Sequence, residues 1–163
     1  MSSDSGLDAL ISAFIRNPEL SSVKYDVKKD IIKIETALGV VISEENRTLF
    51  LHRCCQSLQL LFQTIKVQPK YFELRFQENS GITLLRLYRD SQTLSEEEIE
   101  LFVNLVKQTF AAWLIQDNQD MSAGTFLTGE IKQTLLNKIK RSQEDYQNIF
   151  AFRDEGKVYV FNK

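Results

Sequence analysis

The stretch from Lys70 to Asp90 constrains the fold more than any other part of this chain. Phe72, Leu74 and Phe76 alternate with Tyr71, Glu73, Arg75 and Gln77, the period-two pattern of a half-buried strand. Glu78-Asn79-Ser80-Gly81 follows, a run that tolerates a tight reversal and a positive φ at the glycine, and alternation then resumes towards Tyr88. The stretch therefore reads as a β-hairpin. Cross-strand pairing preferences predict Leu74 opposite Leu85, Phe72 opposite Leu87, Glu73 opposite Arg86 and Tyr71 opposite Tyr88. A one-residue slip would set Leu74 against Arg86 and mix the faces. One face then carries Phe72, Leu74, Phe76, Leu85 and Leu87, and the other Tyr71, Glu73, Arg75, Leu84, Arg86 and Tyr88.

Two further hairpins are expected. Around 22–37, Val23, Tyr25 and Val27 alternate with Lys24, Asp26 and Lys28, and after a turn near Lys29-Asp30 the pattern returns in Ile32, Ile34 and Thr36. Charge favours Lys24 opposite Glu35 and Asp26 opposite Lys33 over a register that would set Lys24 against Lys33. The third hairpin, about 148–162, turns at Asp154-Glu155-Gly156. Its pattern places Phe150, Phe152, Val158 and Val160 on one side and Ile149, Ala151, Tyr159 and Phe161 on the other, so both faces read as apolar. Such a strand pair is either sandwiched or an interface.

Helices fill the intervals. The first is expected over about 6–16, capped by Asp4 or Ser5 and ended by Asn17-Pro18, with Leu7, Leu10, Ile11, Phe14 and Ile15 inward. Ser43-Glu44-Glu45 starts a second over about 43–65, whose apolar stripe is Leu51, Cys54, Cys55, Leu58, Leu61, Phe62 and Ile65. Ser95 with Glu98 forms a capping box for a third over about 95–116, with Ile99, Phe102, Val103, Val106, Phe110, Trp113 and Leu114 as its stripe. A fourth is expected over about 129–144 after a mobile loop at 116–127, and residues 1–5 are expected to fray. Hairpins without crossover spacing predict an α+β class: an antiparallel sheet of three hairpins with helices packed mainly on one face of a single domain over 1–163. The order of elements is similar to that of small α+β secretion-chaperone folds. No residue motif carries that likeness, which implies protein binding by fold-level analogy alone.

Composition narrows the chemistry. A net charge of −2 offers no long-range attraction for nucleic acid or an anionic membrane. The apolar run Phe110 to Ile115 is too short to cross a bilayer, and no targeting segment is recognised at the amino end. Two adjacent cysteines, Cys54 and Cys55, fit a reducing compartment, so a cytoplasmic location is expected. His52 falls on the opposite helix side from these thiols, and one histidine with two cysteines is too few for a closed zinc site, so no metal and no cofactor are expected. Nucleophile elbows, phosphate-cradling glycine loops and dinucleotide fingerprints are absent, and Glu96, Glu97, Glu98 and Glu100 are explained by capping and the helix dipole. No catalytic residue is assigned.

What remains is surface suited to a partner. Tyr71, Arg75, Arg86, Tyr88 and Leu84 on the hairpin, with Tyr159 and Phe161 near the carboxyl end, have the aromatic and arginine character of interfaces. The expectation is a non-enzymatic protein–protein interaction module, homodimeric, with a partner whose identity the sequence does not specify. The alternatives are a small-ligand sensor with a pocket between sheet and helices, and a weak single-stranded nucleic-acid binder using the tyrosines together with Lys132, Lys138, Lys140 and Arg141.

Overall fold

The structure, a computed structural model, describes residues 10–115, 148–154 and 157–162. A helix covers residues 10–16 (α1), followed by strands Ser22–Asp26 (β1) and Ile31–Leu38 (β2). Helix Glu44–Ile65 (α2) leads to strands Phe72–Asn79 (β3) and Ile82–Asp90 (β4), then helix Glu96–Phe110 (α3) and a short 3-10 turn at Ala111–Trp113. Strands Asn148–Asp154 (β5) and Lys157–Asn162 (β6) complete the described elements. β3, β4, β2 and β1 lie side by side as an antiparallel sheet, which continues beyond β1 through β5 and β6. The class is α+β. The expected frayed start, the loop at 116–127 and the helix at 129–144 lie outside the described residues.

Local chemistry accounts for the helix starts. Ser43 and Ser95 are both extended, and their side chains accept hydrogen bonds from the backbone N–H groups of Asn46 and Glu98, with carboxylates in both first turns. α2 ends on Lys66 in the left-handed region at φ 58°, its N–H reaching back to the Phe62 carbonyl. α3 stops at Phe110 rather than running to about 116. The chain there turns extended, Leu114 bridges to Leu38, the Gly39 N–H donates to the Trp113 carbonyl at 2.7 Å and the Ile115 N–H to the Ala37 carbonyl at 2.9 Å. Bonding to the end of β2 replaces the helical bonds, and Trp113 is left 41% exposed instead of joining the apolar stripe.

Both expected registers within 22–37 and 70–90 are corrected. Leu74 faces Leu87, Phe76 faces Leu85, Phe72 faces Arg89, Glu73 faces Tyr88 and Arg75 faces Arg86. The reversal is a two-residue turn at Ser80-Gly81, both at positive φ (52° and 84°), which matches the twist of the flanking strands and outweighs the polar pairs of the wider loop. The shift of two residues preserves the faces. In the other pair, Lys24 faces Lys33 and Ser22 faces Glu35, the arrangement that charge alone disfavours. Here a four-residue turn places Asp30 at φ 58°, and Asp30 is held there by Tyr25 Oη, which donates to Oδ1 at 2.9 Å, and by the Ser91 backbone N–H, which donates to its carbonyl at 3.2 Å. A tighter turn would have required Lys29 as well as Asp30 at positive φ.

The third strand pair is also corrected. Phe150 is registered with Phe161 and Phe152 with Tyr159, whereas Ala151 is registered with Val160. Strand alternation therefore assigns the four aromatic positions to one sheet face and the aliphatic positions to the other, instead of mixing them. Lys24 pairs with Phe150 and Val23 with Ala151, so the aliphatic positions continue the core side and the aromatic positions the opposite side.

The core side carries Val23, Tyr25, Ile32, Ile34, Leu38, Leu85 and Leu87, all buried. α2 meets it through Phe50 against Phe76 (5.9 Å between ring centroids) and Phe62 against Phe72 (5.8 Å), and Phe110 of α3 sits 5.0 Å from Phe50. Such edge and tilted pairs stabilise by about 0.5–1.5 kcal/mol each beyond their burial. Residues 10–15 of α1 are buried on all sides rather than along one stripe.

One ion cluster lies inside this core. Arg89 is fully buried, and its Nε and Nη2 donate to the two carboxylate oxygens of Glu98 at 2.6 and 2.9 Å, with its guanidinium 5.4 Å from the Phe62 ring. Glu98 thus serves Arg89 with its carboxylate and Ser95 only with its backbone N–H, so the capping box is half formed. Burial pushes the Glu98 carboxyl above its ordinary range, and the Arg89 hydrogen bonds oppose that push.

Candidate interaction face

Across the sheet from the core, Tyr71, Glu73, Arg75, Leu84, Arg86 and Tyr88 share one face, as do Lys24, Asp26, Ile31, Lys33 and Glu35. Of the seven residues singled out in the sequence, Arg75 and Arg86 stand directly opposite each other, Tyr88 faces Glu73, and Leu84 faces Gln77. Tyr71 precedes β3 and is 42% exposed. Tyr159 and Phe161 hold register positions on the same sheet face.

Asp90 sets the rim of this face. It receives the backbone N–H groups of Lys70 (3.0 Å) and Tyr71 (3.1 Å) and, from the following turn, the Thr93 N–H at 2.9 Å and hydroxyl at 2.8 Å. Arg89 Nη1 donates to the Tyr71 carbonyl at 3.2 Å. The buried ion cluster therefore fixes the backbone of an exposed aromatic residue. Although burial pushes the Asp90 carboxyl upward, the bonds from Thr93 and Tyr71 and the charge of Arg89 hold it below its ordinary range.

From Tyr71 a polar chain crosses the face. Its hydroxyl donates to Glu73 at 2.8 Å, Arg75 Nε donates to the other Glu73 oxygen at 3.1 Å, and the Arg75 guanidinium lies 5.8 Å from the Tyr88 ring centroid. The hydrogen bond to Glu73 raises the Tyr71 hydroxyl above its usual value, and the Tyr71 and Arg75 bonds lower the Glu73 carboxyl. Glu73 was expected to neutralise Arg86, but the register carries it to Arg75. Arg86 instead donates through Nε to Glu35 of β2 at 2.7 Å, and Ser22 donates to the second Glu35 oxygen at 3.2 Å.

These side chains border an open pocket of about 530 Å³, lined by Lys24, Asp26, Lys29, Ile31, Lys33, Tyr71, Glu73, Arg75 and Tyr88. Sequence reasoning missed the lysines. The signal was available in their outward positions in the alternation of 22–37, but a register chosen on charge dispersed them. In the structure Lys24 and Lys33 are directly opposed, and burial lowers the Lys33 ammonium below its ordinary value, with Arg86 and Lys24 adding to that and Glu35 opposing it.

The thiols occupy a different layer. Cys54 is buried in the core and its pKa is pushed up to about 12 by that burial, Cys55 is half-buried, and His52 is exposed on α2. Among the described residues no group of three or more His, Cys, Asp or Glu side chains is placed to hold a metal ion, and no helix is long and apolar enough to cross a membrane. No protein family, no curated protein and no solved structure matches this chain.

Proposed function

We propose that this chain is a non-enzymatic protein–protein interaction module that engages its partner through the sheet face bearing Tyr71, Arg75, Arg86, Tyr88 and Leu84, with Tyr159 and Phe161 extending it. The observation that carries this reading is the convergence of these positions on one side of the sheet, opposite the helix-packed core. Two tyrosines and Arg75 line an open pocket on this face and Arg86 lies on the same face, and these are residue types that dominate interface energetics. In this reading three hairpins form the sheet, the helices pack mainly on its other face, and the protein acts in the cytoplasm as a homodimer.

The test is affinity capture from the native host with the intact chain and with Tyr71→Ser/Tyr88→Ser, whose core is untouched. The expected result is a discrete co-purifying protein that the double variant loses. Equal retention by both would overturn the assignment of this face, and light scattering that gives a monomer at all concentrations would overturn the homodimer.

A further inference from the structure

The pocket on the interaction face is more basic than the chain that carries it. Its lining has four cations, Lys24, Lys29, Lys33 and Arg75, against two carboxylates, in a protein of net charge −2. The two carboxylates are already engaged: Glu73 is held by Tyr71 and Arg75, and Asp26 Oδ1 accepts the Lys29 backbone N–H at 3.2 Å. Among the described residues none of the ammonium groups of Lys24, Lys29 and Lys33 forms an ion pair. Like charges directly opposite on a sheet destabilise it, yet Lys24 and Lys33 are so placed.

We propose that this pocket is an anion-recognition site that takes the clustered carboxylates of an acidic peptide segment on the partner protein. The inference rests on the interaction reading above and adds the chemistry of the partner. A volume of about 530 Å³ lies in the range of small-ligand sites and leaves room for more than one side chain. Three lysines act as separate point charges suited to spaced carboxylates. The pocket's single arginine is committed to Glu73, so the planar bidentate clamp that favours phosphate is missing. Ile31, Tyr71 and Tyr88 supply apolar walls. The fitting segment therefore has acidic residues next to apolar ones.

The experiment is fluorescence anisotropy with a labelled ten-residue peptide of Asp, Glu and Leu, its counterpart with Asn and Gln in place of the acids, and a labelled single-stranded oligonucleotide. The intact protein is expected to bind the acidic peptide at least about ten-fold more tightly than either alternative. Lys24→Gln/Lys33→Gln is expected to lose about ten-fold in affinity, Lys29→Gln in its exposed turn about two- to five-fold, and Lys66→Gln, at the end of α2 and outside the pocket lining, less than about two-fold. Thermal unfolding of the double variant is expected at or above that of the parent, because a repulsive pair is removed, which separates lost binding from lost folding. Equal binding of acidic and neutral peptides, no binding of either, or tighter binding of the oligonucleotide would overturn the proposal. If the acidic peptide fails while Tyr71→Ser/Tyr88→Ser still releases the captured native partner, this inference falls and the interaction face stands.

Discussion

Glu98→Gln isolates the role of the buried ion cluster. The substitution keeps the side chain's shape but leaves the Arg89 guanidinium, fully buried, facing an amide. One of the two Arg89–Glu98 hydrogen bonds, at 2.6 and 2.9 Å, retains an acceptor and the other meets an N–H group. Removing one partner of a buried ion pair costs about 3–5 kcal/mol, and Asp90, which remains beside Arg89, places the expected loss near the lower end at about 3 kcal/mol. In a domain of this size that corresponds to a fall in melting temperature of about 6–12 °C. Arg89→Met/Glu98→Leu removes both charges and keeps an apolar contact for Phe62. Asp90 stays satisfied by the N–H groups of Lys70, Tyr71 and Thr93 and by the Thr93 hydroxyl. The double variant is therefore expected to return to within about 1 kcal/mol of the parent. Urea unfolding followed by circular dichroism measures all three proteins, with unchanged m values confirming that stability alone has moved. A single variant within about 1 kcal/mol of the parent, or a double variant less stable than the single, would refute the view that the uncompensated charge, rather than the pair's own attraction, dominates here.

Asp90→Asn is expected to destabilise most above the ordinary carboxylate range. A carboxyl held below its unfolded value contributes stability that is present above that value and lost as pH falls through the folded one, so the gap between parent and variant closes below about pH 4 in unfolding measured from pH 6 to 3. Lys66→Gly, which relieves a left-handed residue at φ 58°, should raise stability by about 1 kcal/mol, read as a shift in urea midpoint; no gain would show that the αL cap is unstrained. Iodoacetamide at pH 8 followed by mass spectrometry should leave Cys54 unmodified in the native protein and modify it readily in denaturant, since burial raises that thiol to about 12. Rapid native modification of Cys54 would contradict its place in the core.

Much of the local architecture is legible in the residues. The period-two alternation of Phe72 to Phe76 and Leu85 to Leu87 divides the two faces correctly even though their register does not match expectation, because a slip of two residues leaves every side chain on its own face. Ser43 and Ser95 cap helices because a hydroxyl in extended geometry can reach the free N–H groups of the first turn wherever it occurs. Register was legible only in part. Ser80-Gly81 is a strong turn signal, but cross-strand charge preferences of a few tenths of a kcal/mol pointed elsewhere and were overridden by backbone geometry.

The amino-acid sequence by itself determined strands β1 to β4, the starts of α2 and α3 with their caps at Ser43 and Ser95, and which side of those four strands is apolar, since these depend on neighbours within a few residues. Tertiary structure alone decided the rest. Ser91 holds the turn at Asp30, Leu114 draws the end of α3 onto β2, and Arg89 finds Glu98 across the buried layer. The same long-range pairing set β1 against β2 so that Lys24 and Lys33 meet, and placed them in one pocket with Tyr71 and Tyr88. Those juxtapositions join residues of different elements, and their energies exist only once the sheet and its helices have come together.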